Sequence, residues 1–249
     1  MEALGLGLFM VSAGGFGTLL EHPGSPVHQA IASALARRAL MGLAMGATAI
    51  GLVYSPWGRR SGAHINPAFT ATMFRLGRVS GRDAVAYALA QFAGGAAGVF
   101  LLAALLGEAF LAPPVAAVAT LPGPSGIAVA FFAELGISFV LMLMVLTLGR
   151  SQRLGKYTGL FVGAALFLYI TFEAPLSGMS MNPARTLASA LPLGHWRGLW
   201  IYFTAPLLGM LLASEAHVRQ LRLRSKRGGC AKVVHSFPCI FCGGRARST

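Results

Sequence analysis

Charged residues are scarce in this sequence, and acidic residues are the scarcest of them. Only 11% of the 249 residues are charged, with seven Asp and Glu against 20 Lys and Arg. A soluble protein usually carries about 25% charged residues, so the composition excludes an ordinary water-soluble domain. The chain is instead 55% hydrophobic, with a mean hydropathy of +0.68. These values are typical of a protein that crosses a membrane several times.

Cysteine is nearly absent, since the chain has three cysteines and all of them follow residue 229. The rest of the chain therefore has no disulfide framework. The basic residues form no groove with interleaved aromatic residues, so no nucleic-acid partner is expected. A basic leader and a cleavage site are also missing near Met1, so the first apolar segment is expected to be a retained transmembrane helix. No nucleophile–base pair or cofactor motif indicates an enzyme.

Six apolar segments are long enough to span a bilayer, which takes about 20 residues each. Two shorter apolar runs, near 66–77 and 183–192, indicate re-entrant half-helices. Three spans and one half-helix therefore occur twice, and the odd number of spans inverts the second half. The predicted fold is an all-α membrane protein with six transmembrane helices and two re-entrant half-helices in an inverted 3+3 repeat. The spans are predicted near 3–20, 33–55, 84–106, 127–148, 158–174 and 198–217.

The distribution of Lys and Arg predicts the orientation. The loop 107–126 has no basic residue, and by the positive-inside rule it should face away from the cytoplasm. Both termini are then predicted to be cytoplasmic. Arg37, Arg38 and Arg197 are exceptions to the bias. The basic residues that support it are Arg59, Arg60, Arg75, Arg78, Arg82, Arg150, Arg153, Lys156 and those after residue 218.

One short motif occurs twice. Residues 61–68 read SGAHINPA and residues 177–184 read SGMSMNPA, with five of the eight positions identical. Asn is a favoured N-cap and Pro is favoured at the first helical position, so Asn66 and Asn182 should each cap a half-helix. Pro67, Ala68, Pro183 and Ala184 are predicted to fix the two helix starts. Two helix N-termini that face each other would make a positive region in mid-membrane.

Arg185 directly follows the second motif. A charge deep in a membrane is costly and should face a water-filled cavity. The alternative is an arginine that extends its charged end to the membrane surface.

These two motifs, Arg185, and the glutamates Glu2 and Glu134 within spans give the sequence a specific resemblance. It resembles the major intrinsic protein family, the aquaporins and glycerol facilitators, and within that family a bacterial aquaporin-type branch. The resemblance implies an aquaporin-like channel domain over 1–218, with halves of about 1–106 and 127–218. It also implies a homotetramer, a bacterial inner membrane, and no cofactor.

The resemblance further implies roles for individual residues. In the family, the Asn amides donate to the permeating molecule, the Arg lines the outer constriction, and the glutamates accept hydrogen bonds from the re-entrant loops. Water-specific members place an aromatic residue and a His beside the Arg; both are absent here, which predicts a wider and more apolar selectivity filter. The implied filter residues are Arg185, Ile170, Met179 and either Met45 or Gly46, with His64 lining the vestibule or supporting its loop.

Glu173 lies one helical turn beyond Ile170 and has two interpretations. It could be a partner for Arg185, or it could be hydrogen-bonded to loop backbone at a helix end.

Residues 219–249 form a predicted basic, cysteine-containing cytoplasmic tail outside the resemblance. Its first basic residues, 219–227, are expected to contact anionic membrane lipids. No metal site is predicted in the chain, apart from a weak possibility at Cys230, His235, Cys239 and Cys242.

The predicted function is a passive transmembrane channel for water and small neutral solutes. The first alternative is a facilitator selective for glycerol, ammonia or urea with little water flux. A secondary transporter also uses inverted repeats, but it would need coupling groups in mid-membrane, where only Glu2, Glu134 and Arg185 are candidates. A non-conducting structural membrane protein is the third alternative.

Overall fold

The structure, a computed structural model, describes residues 1–226, and it contains no strand in that part of the chain. Within the same residues, six helices are long and apolar enough to cross a membrane, which confirms the predicted all-α fold class. Two shorter helices begin directly after Asn66 and Asn182. The helices of the spans and the two half-helices are α1 (Glu2–Glu21), α2 (Ala34–Tyr54), α3 (Pro67–Arg75), α4 (Gly81–Leu106), α5 (Ile127–Leu148), α6 (Thr158–Leu168), α7 (Pro183–Ala190) and α8 (Leu199–Lys226). Short helices Pro26–Ala30, Pro56–Ser61, Glu108–Leu111 and Ala174–Ser177 lie between them.

The ends of two spans differ from the prediction. Helix α6 continues through a π-helical turn, Tyr169–Glu173, into a short helix, Ala174–Ser177. Helix α8 continues to Lys226, because the basic residues after 218 are good helix formers and hydropathy alone marks only the apolar part. The tail cysteines and His235 lie outside the described residues.

The two halves pack in the same way. Helix α1 packs on α4, α5 packs on α8, and α2 of the first half packs on α6 of the second. Glycines permit the close approach: a Cβ on Gly94 of α4 would lie 2.0 Å from the carbonyl oxygen of Ala3. In the second half, a Cβ on Gly209 would lie 2.3 Å from the carbonyl oxygen of Leu135. Backbone contact through small residues is the usual basis of tight helix packing in membranes.

Substitution of Gly94 by alanine is expected to destabilise the bundle. The added methyl group would overlap the Ala3 backbone, so α1 and α4 must separate, and overpacking of this kind costs about 1–3 kcal/mol or more. Circular dichroism of the protein in detergent should show helicity lost at a lower temperature. Gly15→Ala is the matched control, because a Cβ there would meet nothing within 4 Å. Equal melting of the two variants would contradict the packing argument.

Candidate pore

A cavity of about 550 Å³ runs through the helical bundle. One face of α2 lines it from Ala34 in the first turn to Val53 in the last. At about 1.5 Å per residue these two positions are roughly 28 Å apart. The hydrocarbon core of a bilayer is about 30 Å thick, so the cavity follows a path as long as the membrane is thick.

The two half-helices begin at this cavity, and each is capped by its asparagine. Oδ1 of Asn66 accepts the backbone N–H of Ala68 at 2.9 Å, and Oδ1 of Asn182 accepts that of Ala184 at 3.0 Å. Pro67 and Pro183 occupy the first helical positions. Both asparagines line the cavity, so two positive helix ends lie at its wall.

Each asparagine also joins the opposite loop. Nδ2 of Asn66 donates to the carbonyl oxygen of Met181 at 2.7 Å, and Nδ2 of Asn182 donates to that of Ile65 at 2.8 Å. A side-chain amide has two N–H groups. One N–H of each asparagine holds the two loops together.

The backbone before each asparagine is strained. Ala63 and Ile65 have φ of +47° and +39°, and Met179 and Met181 have φ of +51° and +54°. The left-handed region costs an L-residue about 1–2 kcal/mol, and it is more unfavourable still for a β-branched residue such as Ile65. Such conformations persist only where surrounding contacts fix them.

Glu134 provides those contacts in the second half. Its carboxylate accepts the backbone N–H groups of Ser180 at 2.6 Å and Met181 at 2.7 Å, and the Ser177 hydroxyl lies 3.0 Å away. Glu134 is fully buried, and the loop amides satisfy it.

Glu2 occupies the equivalent place in the first half. It accepts the N–H groups of His64 at 3.2 Å and Ile65 at 2.6 Å, and Nε2 of Gln91 donates to it at 2.7 Å. Two spans thus hold the two strained loops by the same chemistry.

The His64 side chain forms part of the cavity wall. Its Nδ1 lies 3.1 Å from Oγ1 of Thr70, and its ring packs edge-on against Phe69 and Tyr87. The side chain therefore lines the pore, while the backbone N–H of the same residue belongs to the supported loop.

The cavity wall includes Arg185, Met45, Ile170 and Met179. Gly46 is not part of this wall, because a Cβ on it would lie 2.6 Å from the carbonyl oxygen of Gly163, so it packs α2 against α6. Of the two residues that the sequence left open, Met45 lines the cavity and Gly46 does not, and a role of Met45 in selectivity stays a prediction. Adjacent residues of a helix point about 100° apart. Met45 can therefore face the cavity while its neighbour Gly46 faces α6.

The guanidinium of Arg185 donates from Nη1 to the hydroxyl of Thr120, in the loop between α4 and α5. The Thr120 side chain is only 4% exposed and lies 3.4 Å from the hydroxyl of Thr186, which contacts that of Ser180. Oγ of Ser180 donates to the carbonyl oxygen of Asn182 at 3.0 Å. Three hydroxyl groups thus connect Arg185 to the second asparagine cap. Thr120 could not be identified from the sequence, because its loop carries no motif.

Arg38 is a second arginine at the cavity wall. Its Nε donates to the carbonyl oxygen of Thr171 at 3.3 Å, in the π-helical turn of α6. From the sequence, Arg38 could be identified only as an exception to the distribution of Lys and Arg between the two sides of the membrane. Its position seven residues before Met45, on the same face of α2, is the signal that could have placed it at the pore.

Glu173 fits neither of its two interpretations. Among the described residues it forms no ion pair with Arg185. Its Oε1 contacts the hydroxyl of Ser177 rather than loop backbone.

Thr120→Val is expected to change the selectivity of the pore by removing the hydroxyl that holds Arg185. A hydrogen bond to a charged group contributes about 1.5–3 kcal/mol, so the ratio of urea to water permeability should rise by roughly tenfold or more. Stopped-flow light scattering of proteoliposomes measures both rates.

Thr72→Val is the control for this prediction. Thr72 is fully buried, but among the described residues its hydroxyl bonds only to the Ala68 carbonyl oxygen of its own helix, at 2.9 Å. If both variants shift the permeability ratio equally, Thr120 has no special role.

Two facing half-helices inside six spans define the aquaporin fold, and comparison with known proteins agrees. The family model described as "Major intrinsic protein" matches residues 2–217. The chain belongs to the major intrinsic protein family, and it is therefore an integral membrane protein.

Two similar relatives are plant aquaporins. Aquaporin NIP1-3 of Oryza sativa subsp. japonica is 40% identical over 167 residues, covering 67% of this chain and 56% of the relative. Aquaporin NIP1-2 of Arabidopsis thaliana is 36% identical over 201 residues, covering 77% and 68%. This chain thus spans just over half the length of the first of these. Neither relative supports the predicted bacterial branch or bacterial inner membrane.

A solved structure agrees with the fold. The aquaglyceroporin from Plasmodium falciparum superimposes with a TM-score of 0.71 at 20% identity, covering 87% of this chain and 92% of that one. At this identity the likeness concerns the fold alone.

Proposed function

We propose that this protein is a passive channel for water and small neutral solutes. The observation that carries the proposal is the donor pattern in a cavity of membrane length: Asn66, Asn182 and Arg185 present N–H groups at its wall. A permeating oxygen can accept from these donors. The guanidinium charge and the two positive helix ends oppose cations.

The composition of the filter favours solutes larger than water. Met45, Ile170 and Met179 offer an apolar wall beside Arg185, and unbranched thioether side chains adapt to differently shaped neighbours. The same observation favours the second candidate, a facilitator for glycerol, ammonia or urea with little water flux. The names of the plant relatives, which are aquaporins, support the broader proposal.

Stopped-flow light scattering of reconstituted vesicles tests the function. In a sucrose gradient we expect shrinkage faster than in protein-free vesicles, and in urea or glycerol gradients we expect shrinkage followed by rapid reswelling. Reswelling without fast initial shrinkage would favour the solute facilitator. Saturable flux coupled to an ion gradient would favour a secondary transporter. Rates equal to those of lipid alone would contradict the channel.

We further propose that the C-terminus faces the cytoplasm. The support is the basic residues within 59–82, within 150–156 and after residue 218, against a loop 107–126 without any. The three cysteines all follow residue 229, so the native chain carries its own probe. A membrane-impermeant maleimide should label it only after the cells are opened, and labelling of intact cells would contradict this orientation.

The assembly is proposed to be a homotetramer embedded in lipid, with the basic segment after residue 218 against anionic head groups. Large apolar side chains cover the outside of the bundle, including Phe132, Leu89 and Phe172, which are 68%, 66% and 65% exposed. Such surfaces are covered by lipid or by another subunit. Native mass spectrometry from detergent should show four copies, and a monomer under mild conditions would contradict the tetramer.

A further inference from the structure

Glu173 is a half-buried residue with no role in the pore described above. It lies at the end of the π-helical turn of α6, and its Oε2 is buried with no hydrogen-bond partner among the described residues. A charged oxygen without a donor is very unfavourable in such a place, whereas a neutral carbonyl oxygen is tolerated far better.

The hydroxyl of Ser177 lies between two carboxyl groups. Its Oγ is 3.0 Å from Oε1 of Glu134 and also contacts Oε1 of Glu173. The same oxygen accepts the backbone N–H of Met179 at 3.1 Å. A hydroxyl group has one proton, so Ser177 can donate to one of the carboxyl groups but not to both. The other contact needs a proton from the carboxyl side.

The first half of the repeat indicates which carboxyl group is ionised. Glu2 receives three donors: two loop N–H groups and the amide of Gln91. Glu134 likewise receives two loop N–H groups, and its third donor can only be Ser177. Ser177 thus takes the place that Gln91 has in the first half, and its hydroxyl proton is used in the hydrogen bond to Glu134. The proton in the contact between Ser177 and Glu173 must therefore come from the Glu173 carboxyl group.

We propose that Glu173 is protonated and donates a hydrogen bond to Ser177, which in turn donates one to the ionised Glu134. These two hydrogen bonds position the loop that presents Met179 and Arg185 to the pore. Every hydrogen-bonding site of Ser177 Oγ is then used, since it accepts from Glu173 and Met179 and donates to Glu134. The carbonyl oxygen of Ser177 accepts from the Tyr202 hydroxyl at 2.5 Å. Glu173 is a positioning residue, acting through Ser177.

The hydrogen-bond donors agree with this assignment. Glu134 accepts two backbone N–H groups, whereas Oε2 of Glu173 has no hydrogen-bond partner among the described residues. The other polar groups facing this turn are the phenols of Tyr169 and Tyr202 and Arg38, whose Nε is engaged by the Thr171 carbonyl oxygen.

Infrared spectroscopy tests the proton directly. The wild-type protein at neutral pH should show the carbonyl-stretch band of a protonated carboxyl group, and this band should be missing in Glu173→Gln. Glu108→Gln, at an exposed glutamate, is the control and should keep the band. Absence of the band from the wild type, or its persistence in Glu173→Gln, would overturn the protonation.

Permeability tests the positioning, and this part rests on the proposed channel function. Glu173→Gln keeps a neutral donor for Ser177 and should leave the ratio of urea to water permeability unchanged. Glu173→Leu and Ser177→Ala each remove a hydrogen bond between Glu173, Ser177 and Glu134. Each should change the ratio of urea to water permeability by roughly fivefold, the equivalent of one buried hydrogen bond. A Glu173→Leu protein with the wild-type ratio would overturn the positioning role. A wild-type protein without flux would instead contradict the proposed channel function. The infrared result would still show whether Glu173 is protonated.

Discussion

Vesicles containing Arg185→Val are expected to leak small cations while they still conduct water. The guanidinium is a positive charge at the filter wall, and water needs only space and hydrogen-bond partners there. At an effective dielectric constant of about 20 and a separation of about 5 Å, two like charges repel by roughly 3 kcal/mol. Loss of that barrier corresponds to about two orders of magnitude in the rate of cation passage. Sodium- and potassium-sensitive dyes inside the vesicles measure it.

Arg153→Val is the control for the cation leak, because Arg153 is exposed in the turn between α5 and α6 and is outside the cavity wall. It removes the same charge from the protein and should leave the vesicles tight. If Arg185→Val vesicles are equally tight, the barrier lies with the half-helix ends and not with the arginine. Water flux in both variants shows that the pore is intact.

Much of the architecture could be predicted because its causes are local. A span must be apolar over about 20 residues, so hydropathy locates each span, and the Asn-Pro pair specifies a helix start by capping. The inverted repeat follows from the odd number of spans between two copies of one motif. The pairing of α2 with α6 across the two halves follows from that symmetry.

The details of the filter could not be predicted because they depend on contacts between distant segments. Met45 and Gly46 are neighbours in the chain, and only the approach of Gly163 decides which of them faces the pore. Thr120 reaches Arg185 from a loop without a motif. The π-helical turn at Tyr169–Glu173 is equally invisible in the sequence, since one extra residue in a turn leaves the apolar pattern intact.

Glu134→Leu is expected to abolish both stability and flux. The leucine leaves the N–H groups of Ser180 and Met181 without an acceptor in a fully buried place. Each hydrogen bond to a charged group contributes about 1.5–3 kcal/mol. The two together approach the lower end of the free energy of unfolding of a whole domain, which is roughly 5–15 kcal/mol. The loss should appear as helicity that melts at much lower temperature in detergent and as vesicles with the permeability of lipid alone.

Glu134→Gln separates the loss of charge from the loss of an acceptor. Its carbonyl oxygen can still accept one loop N–H, but its amide places a donor opposite the other, so its stability should lie between the wild type and the leucine variant. The loop also holds Met179 and Met181 at positive φ, a conformation that persists only where surrounding contacts, such as those of Glu134, fix it. A leucine variant that melts and conducts like the wild type would mean that the cross-loop bonds of Asn66 and Asn182 hold the strained backbone without the glutamate.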